Sequence, residues 1–308
     1  MNGAVELETI IGGISRGAIY ALIALGYTMV YGILGMINFA HGEIYMVGSF
    51  AAIVTLAILT TLTSASFGLA GCLVLSMGAA MLVAAAFGFT NERIAYRPLR
   101  RSHALAPLIS AIGVSTFLQN FVMNAQTKDK VDFPRAFSDP LWERKLEIVG
   151  VHVALIQLIV LAMAVGLMVL LHLFITRSRT GKAMRACSQD KTMAALVGIP
   201  VDRVISLTFA VGSALAAAAG MMFTMYNGQT RFDVGYTAGV TAFTAAVLGG
   251  IGNIPGAMLG GFVIGLVEDL TAYHLGADWK YVAVFALLIT VLIVRPRGLL
   301  GERVADKV

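Results

Sequence analysis

Residues 34–43 read LGMINFAHGE, and they set Asn38, His41 and Glu43 in the middle of a run that is otherwise apolar enough to cross a bilayer. An acidic or basic residue at the centre of a membrane helix costs roughly 2.5–3.5 kcal/mol on insertion scales, so such a cluster faces a bundle interior or a water-lined path. The rest of the chain has the composition for that setting. It is 58% hydrophobic and 13% charged, with a mean hydropathy of +0.84, whereas a soluble domain is about 45–50% apolar and about 25% charged. The fold class that follows is all-α and polytopic.

Apolar runs of about 17–25 residues span a bilayer as helices, and candidates occupy 10–33, 44–63, 67–90, 104–125, 151–175, 204–226, 237–251, 255–272 and 280–295. That makes eight or nine spans, depending on how the Gly-rich stretch 237–272 folds. Short segments of alternating polarity, the mark of a membrane barrel, are absent from the sequence. Glu6 and Glu8 precede the first span in place of a basic leader, so it reads as retained rather than as a signal peptide. Cys72 lies inside a span and Cys187 in a basic loop, which gives neither a disulfide framework nor a metal-ligand spacing.

A net charge of +5 would suggest nucleic acid in a soluble protein. Here its distribution reports sidedness instead. Arg93, Arg97, Arg100 and Arg101, then Arg177, Arg179, Lys182, Arg185, Lys191 and Arg203, then Arg295, Arg297, Arg303 and Lys307 hold fourteen of the 22 basic residues against five acids: Glu92, Asp190, Asp202, Glu302 and Asp306. The positive-inside rule makes these three segments cytoplasmic. The charge-balanced loop 126–150, with Lys128, Lys130, Arg135, Arg144 and Lys145 against Asp129, Asp132, Asp139, Glu143 and Glu147, then faces outside. An even number of crossings must separate residue 203 from the inside tail, which requires the chain to turn at Gly252, Asn253, Ile254 and Pro255. Counting back from residue 92, three spans put the N-terminus outside, and a re-entrant segment near 31–42 would reverse that.

A weak internal repeat relates YGILGMINFAHGEIYMVGSF, residues 31–50, to VLGGIGNIPGAMLGGFVIGL, residues 247–266. Each runs apolar-Gly-apolar, then Asn in a break, then a small-residue helix, with Asn38 answering Asn253. Interrupted segments at matching positions of two halves point to a transporter's central site, so Asn38, His41, Glu43 and Asn253 are the candidate pathway residues. The competing readings are that Asn38, His41 and Glu43 bond one another to hold a helix break, and that Gly256, Gly260, Gly261 and Gly265 serve close helix packing. Glu268 and Asp269, followed by Thr271, Tyr273, His274 and Asp278, read as a solvated outer mouth.

No GxxxxGK[ST] or HExxH motif occurs, and the GxSxG match at Gly13-Ile14-Ser15-Arg16-Gly17 lies inside an apolar span rather than at a strand-to-helix turn, so nucleotide or peptide hydrolysis by those routes is not expected of this chain. If ATP drives it, a partner binds the ATP. The longest cytoplasmic connection, 177–203, reads RSRTGKAMRACSQDKTMAALVGIPVDR and carries a short amphipathic helical pattern ended by Gly198 and Pro200. Docking of a helix in a partner's groove needs such a helix. An ordinary surface helix held on the membrane by arginines has the same periodicity.

The stretches YALIALGYTMVYGILGMINFAHGEIYMVGSF, ERIAYRPLR, LISAIG and AFTAAVLGGIGNIPGAMLGG resemble the permease family of high-affinity branched-chain amino-acid ABC transporters, LivH type, over nearly the whole chain. The resemblance implies a single transmembrane permease domain over 1–308 in a bacterial inner membrane, multi-pass, with a cytoplasmic C-terminus. It implies import of leucine, isoleucine or valine with no catalysis by this chain and no cofactor bound to it, ATP and Mg being held by two partner ATPase subunits. A second, different permease subunit and a periplasmic binding protein complete the set, with membrane lipid around it and no nucleic acid. It further implies that Asp190, Ala194, Ala195 and Gly198 form a degenerate coupling motif, Asp190 and the Ala pair departing from the usual Glu-Ala-Ala start. Urea and short-amide permeases share the NFAHGE block and remain an alternative. A proton-coupled carrier using Glu43 and His41 is a third reading, opposed by the lack of any other chain of intramembrane acids in the sequence.

Overall fold

The computed structural model describes residues 2–63, 68–100, 102–103, 105–134, 144–148 and 151–301. Arg101, Arg135, Asp139, Glu143, Glu302, Arg303, Asp306 and Lys307, which entered the loop charge counts, lie outside them. The helices are α1 (Asn2–Leu34), α2 (His41–Thr63), α3 (Gly68–Asn91), α4 (Leu105–Ala125), α5 (Leu155–Arg177), α6 (Arg179–Gln189), α7 (Lys191–Leu196), α8 (Val201–Asn227), α9 (Val234–Gly249), α10 (Ile254–His274) and α11 (Lys280–Val294). Among the described residues eight helical segments are long and apolar enough to cross a membrane, and α9 is a shorter apolar helix. The all-α polytopic reading holds, with nine apolar segments where eight or nine were expected.

Two small antiparallel pairs were not anticipated. Strand β1 (Val131–Asp132) pairs with β4 (Gln229–Thr230), and β2 (Lys145–Ile148) pairs with β3 (Val151–Ala154). The span expected from residue 151 therefore opens with four strand residues, whose β-branched Val151 and Val153 favour the extended backbone, and turns helical at Leu155.

Helix α1 is continuous to Leu34 and is ended by Gly35 in the left-handed region at φ 70°, a conformation glycine adopts without penalty. Of the re-entrant stretch offered as an alternative at 31–42, only 35–40 is free of helix. It still returns into the bundle: a side chain on Gly26 would strike the ring of His41, so α2 begins beside a residue eight positions, or about 12 Å of helix rise, from the end of α1. At the other end of α1, Glu8 Oε1 accepts from the backbone N–H of His152 in β3 at 2.9 Å. The last turn of α1 shares a cavity wall with Ser188, Gln189 and Lys191. The N-terminus therefore lies on the face of the 145–154 hairpin, opposite the face of the 177–203 connection, as an odd number of crossings requires.

The tightest seam joins α1 and α10, which run antiparallel. Gly265 meets the backbone of Gly13 and Gly17, Gly17 meets Phe262, and Gly261 meets Ala21. Gly260 likewise abuts Ala245 on α9. These glycines serve close packing, the second of the two readings given to them above. A Gly265→Leu variant should fail to give a monodisperse peak in detergent, and Gly265→Ala should already lose stability, since the added carbon meets only backbone. Gly78→Ala, with open space around it, is the control that should behave as wild type. The chain does turn at 250–253, where Gly250 and Gly252 have φ of 108° and 95°. The C-terminal segment closes on that turn: Leu299 N–H donates to Leu248 O at 2.8 Å and Leu300 N–H to Gly249 O at 3.0 Å.

Candidate functional site

The NFAHGE block sits where α1, α2, α4 and α9 converge. Asn38 Oδ1 accepts from the Ala40 N–H at 3.1 Å and from the Tyr96 hydroxyl at 2.7 Å. His41 is buried with its ring edge-on to Tyr27, centroids 4.7 Å apart. Gly42 packs against Gly235 and Gly239 at the start of α9, which only side-chain-free residues on both helices allow. Glu43 is 1% exposed. Its Oε1 accepts from Ser115 Oγ at 3.1 Å and Gln119 Nε2 at 3.0 Å, both on α4. Its Oε2 lies against Gly235 and has no hydrogen-bond partner among the described residues.

Glu43 is therefore tied to another helix rather than to freed backbone N–H groups or to His41, which the helix-break reading required. Ser115 and Gln119 were missed. Their signal was available, because polar residues four apart in an apolar span share one helix face. Tyr96 was missed as well; it is buried on a π-helical turn, Glu92–Tyr96, that continues α3. Tyr96→Phe should lower the thermal midpoint in detergent by the equivalent of about 1 kcal/mol, the usual worth of one hydrogen bond.

Asn253 occupies a different setting. It caps α10, its Oδ1 accepting from the Gly256 N–H at 2.9 Å, and its Nδ2 donates to Leu300 O at 2.8 Å. It borders two open cavities of about 390 and 450 Å³ between the end of α1 and the 188–191 segment. The structure gives Asn38 and Asn253 separate hydrogen-bond partners. What the repeat shares is local: each asparagine accepts an N–H two or three residues on, at the start of a helix that follows a glycine break.

Two further acids are buried. Glu92 is fully enclosed, with Arg100 and the Ser206 hydroxyl both on its carboxylate, while Arg97 and Arg100 also reach Asp202 at 2.6 and 2.7 Å. Glu268 is 1% exposed, held by Lys280 at 3.0 Å and Arg16 at 3.5 Å; Arg16 also pairs with Asp269 at 2.8 Å. Glu268 is thus a buried ion pair, with Arg16 on α1 and Lys280 on α11 folded over it, at the wall of a polar cavity of about 160 Å³. Glu92 and Glu268 are buried acids besides Glu43. Glu92 and Glu268 each have a cationic partner, however, and Glu43 has none among the described residues. Removing one member of a buried pair costs about 3–5 kcal/mol. Glu92→Ala should fall at the low end, since Arg100 keeps Asp202, and should show as a lowered unfolding midpoint with the helical signal intact.

On the opposite face from the N-terminus, the expected amphipathic helix is two helices, α6 and α7. Asp190 joins them, its Oδ1 capping α7 by accepting from Thr192 N–H at 2.8 Å and Met193 N–H at 3.1 Å. Ala194 turns inward, whereas Ala195 is exposed and Leu196 and Val197 are 77% and 76% exposed. Gly198 ends the unit at φ 84°. Burial pushes the Cys187 thiol up from its ordinary value, and Cys187 and Cys72 are both free.

Apolar helices with glycine seams, breaks lined by asparagine, and an exposed helical knob at one face define a multi-pass, all-helical membrane protein. The chain belongs to the family described as branched-chain amino acid transport system, permease component, whose model matches residues 9–292. It is 45% identical over 302 residues to the high-affinity branched-chain amino acid transport system permease protein BraD of Pseudomonas aeruginosa, covering 98% of each chain. It is also 45% identical over 304 residues to the permease protein LivH of Escherichia coli K12, covering 98% of this chain and 97% of that one. A probable LivH of Methanocaldococcus jannaschii is 27% identical over 94% of this chain and 91% of its own length.

Proposed function

We propose that the chain is one of two different permease subunits of an ABC importer that moves leucine, isoleucine and valine across a bacterial inner membrane, with its C-terminus in the cytoplasm. Two partner ATPase subunits hold ATP and Mg and hydrolyse the nucleotide, a periplasmic binding protein delivers the solute, and this chain binds no cofactor. The observation that carries this reading is 45% identity over almost the full length to permeases named for branched-chain amino acids.

In this reading the segment 177–203 is the coupling surface, with Asp190 and Gly198 shaping α7 and Ala195 on its exposed side. Ala194 supports α7 from within. Glu43, braced by Ser115 and Gln119, fixes the geometry at the centre of the bundle, and Asn38 and His41 are buried on the same segment. The solute is a neutral zwitterion, which needs a shaped polar path and no chemistry. Radiolabelled leucine uptake in cells expressing the chain with its partner subunits tests this. Uptake should require ATP and be competed by isoleucine and valine. Uptake of urea or a short amide with no response to leucine would overturn the substrate, and uptake by this chain alone without ATP would overturn the class.

A further inference from the structure

We propose that the groove between the inner ends of α3 and α8 binds the headgroup of an anionic phospholipid. The groove has a volume of about 900 Å³; its walls include Phe89, Arg93, Arg97, Arg203 and Leu207, and Ala195 of the segment proposed for coupling lines it as well. Three guanidinium groups thus border it against one carboxylate, that of Asp202. Asp202 is already shared by Arg97 at 2.6 Å and Arg100 at 2.7 Å. Arg93 lies 5.8 Å over the ring of Phe89. Neither Arg93 nor Arg203 has an acidic partner among the described residues, and both are exposed. The groove therefore carries uncompensated positive charge at the end of the bundle where basic residues gather, and basic pockets between membrane helices at that surface take anionic headgroups.

The walls decide between a lipid and a free phosphate. Leu207 lies six residues into α8 from Val201, about 9 Å of helix rise, and it is exposed, as are Phe89 and Ile94. An apolar track thus leads from the arginines into the hydrocarbon layer. A headgroup on Arg93 and Arg203 would place its acyl chain along that track, whereas a soluble phosphate gains nothing from it.

Native mass spectrometry of the full-length chain tests the assignment. Protein stripped in detergent is titrated with phosphatidylglycerol or with phosphatidylcholine of the same chains. Phosphatidylglycerol should bind at least tenfold tighter, and the preference should shrink as salt rises. The Arg93→Ala, Arg203→Ala double variant should lose the preference, and Arg93→Lys, Arg203→Lys should keep most of it, which separates charge from misfolding. Millimolar glycerol phosphate should not displace the lipid; displacement would make this an anion site and overturn the lipid assignment. Equal binding of the two lipids, or a double Ala variant that keeps the preference, would overturn it as well. So would a double Ala variant that keeps the preference but no longer co-purifies with an ATPase subunit, which would give the groove to a protein partner.

Discussion

Glu43→Leu is expected to abolish uptake by the assembled importer, while Glu43→Gln retains a substantial fraction of it. The difference rests on Oε1, which accepts from Ser115 and Gln119 in α4. Leucine has similar bulk and no acceptor, so both partly buried donors would lose their partner, at no more than about 1–3 kcal/mol each. Glutamine keeps the acceptor oxygen and loses only the charge. Much of α4 is exposed along Ile109, Ile112, Phe117 and Phe121, so this tether holds a helix with few other constraints. A proton relay predicts the opposite, because glutamine cannot titrate. Equal loss in both variants, with wild-type uptake following an imposed pH gradient, would overturn the bracing role and revive the carrier reading.

The second large effect is expected on the exposed side of α7. Leu196→Asp with Val197→Asp should cut uptake more than tenfold while the assembled complex still hydrolyses ATP and the chain still inserts. Both side chains stand clear of the fold, so charges there disturb a partner's surface and little else. Ala195→Asp should act in the same direction. Ala194→Asp is a different experiment, for Ala194 is buried and a carboxylate there destabilises α7 itself. Gly198→Val should be milder, with no neighbour to strike and a left-handed backbone costing about 1–2 kcal/mol. Normal coupled uptake by the Leu196, Val197 double variant would remove α7 from the coupling surface.

Hydropathy made the spans legible, and charge asymmetry made the opposing faces legible, because both properties are summed over many residues and survive local detail. The turn at 250–253 was legible from parity. The partners of Glu43 were not, since Ser115 and Gln119 are 72 and 76 positions away and nothing local couples them. The partners of Glu268 were missed for a related reason. Its neighbours Thr271, Tyr273 and His274 are polar, but the charges that enclose it come from Arg16 and Lys280 on other helices. Strands β2 and β3 were missed because Val151 and Val153 fit an apolar helix start as well as a strand. The asparagine repeat was legible as a pattern, and the structure shows the local hydrogen bonding that its two asparagines share.

The hydrogen bonds from Leu299 and Leu300 to the end of α9, and from Asn253 to Leu300, act as a mechanical latch. They clamp three pieces of chain, the α9 terminus, the first turn of α10 and the segment after α11, into one block. Gly298 and Gly301 fit that block closely against Gly250. A displacement of any one of these three pieces is therefore shared by the other two. The same latch makes residues 298–301 part of that block, so a shortening of the chain to residue 297 would loosen the floor of the bundle rather than trim a tail.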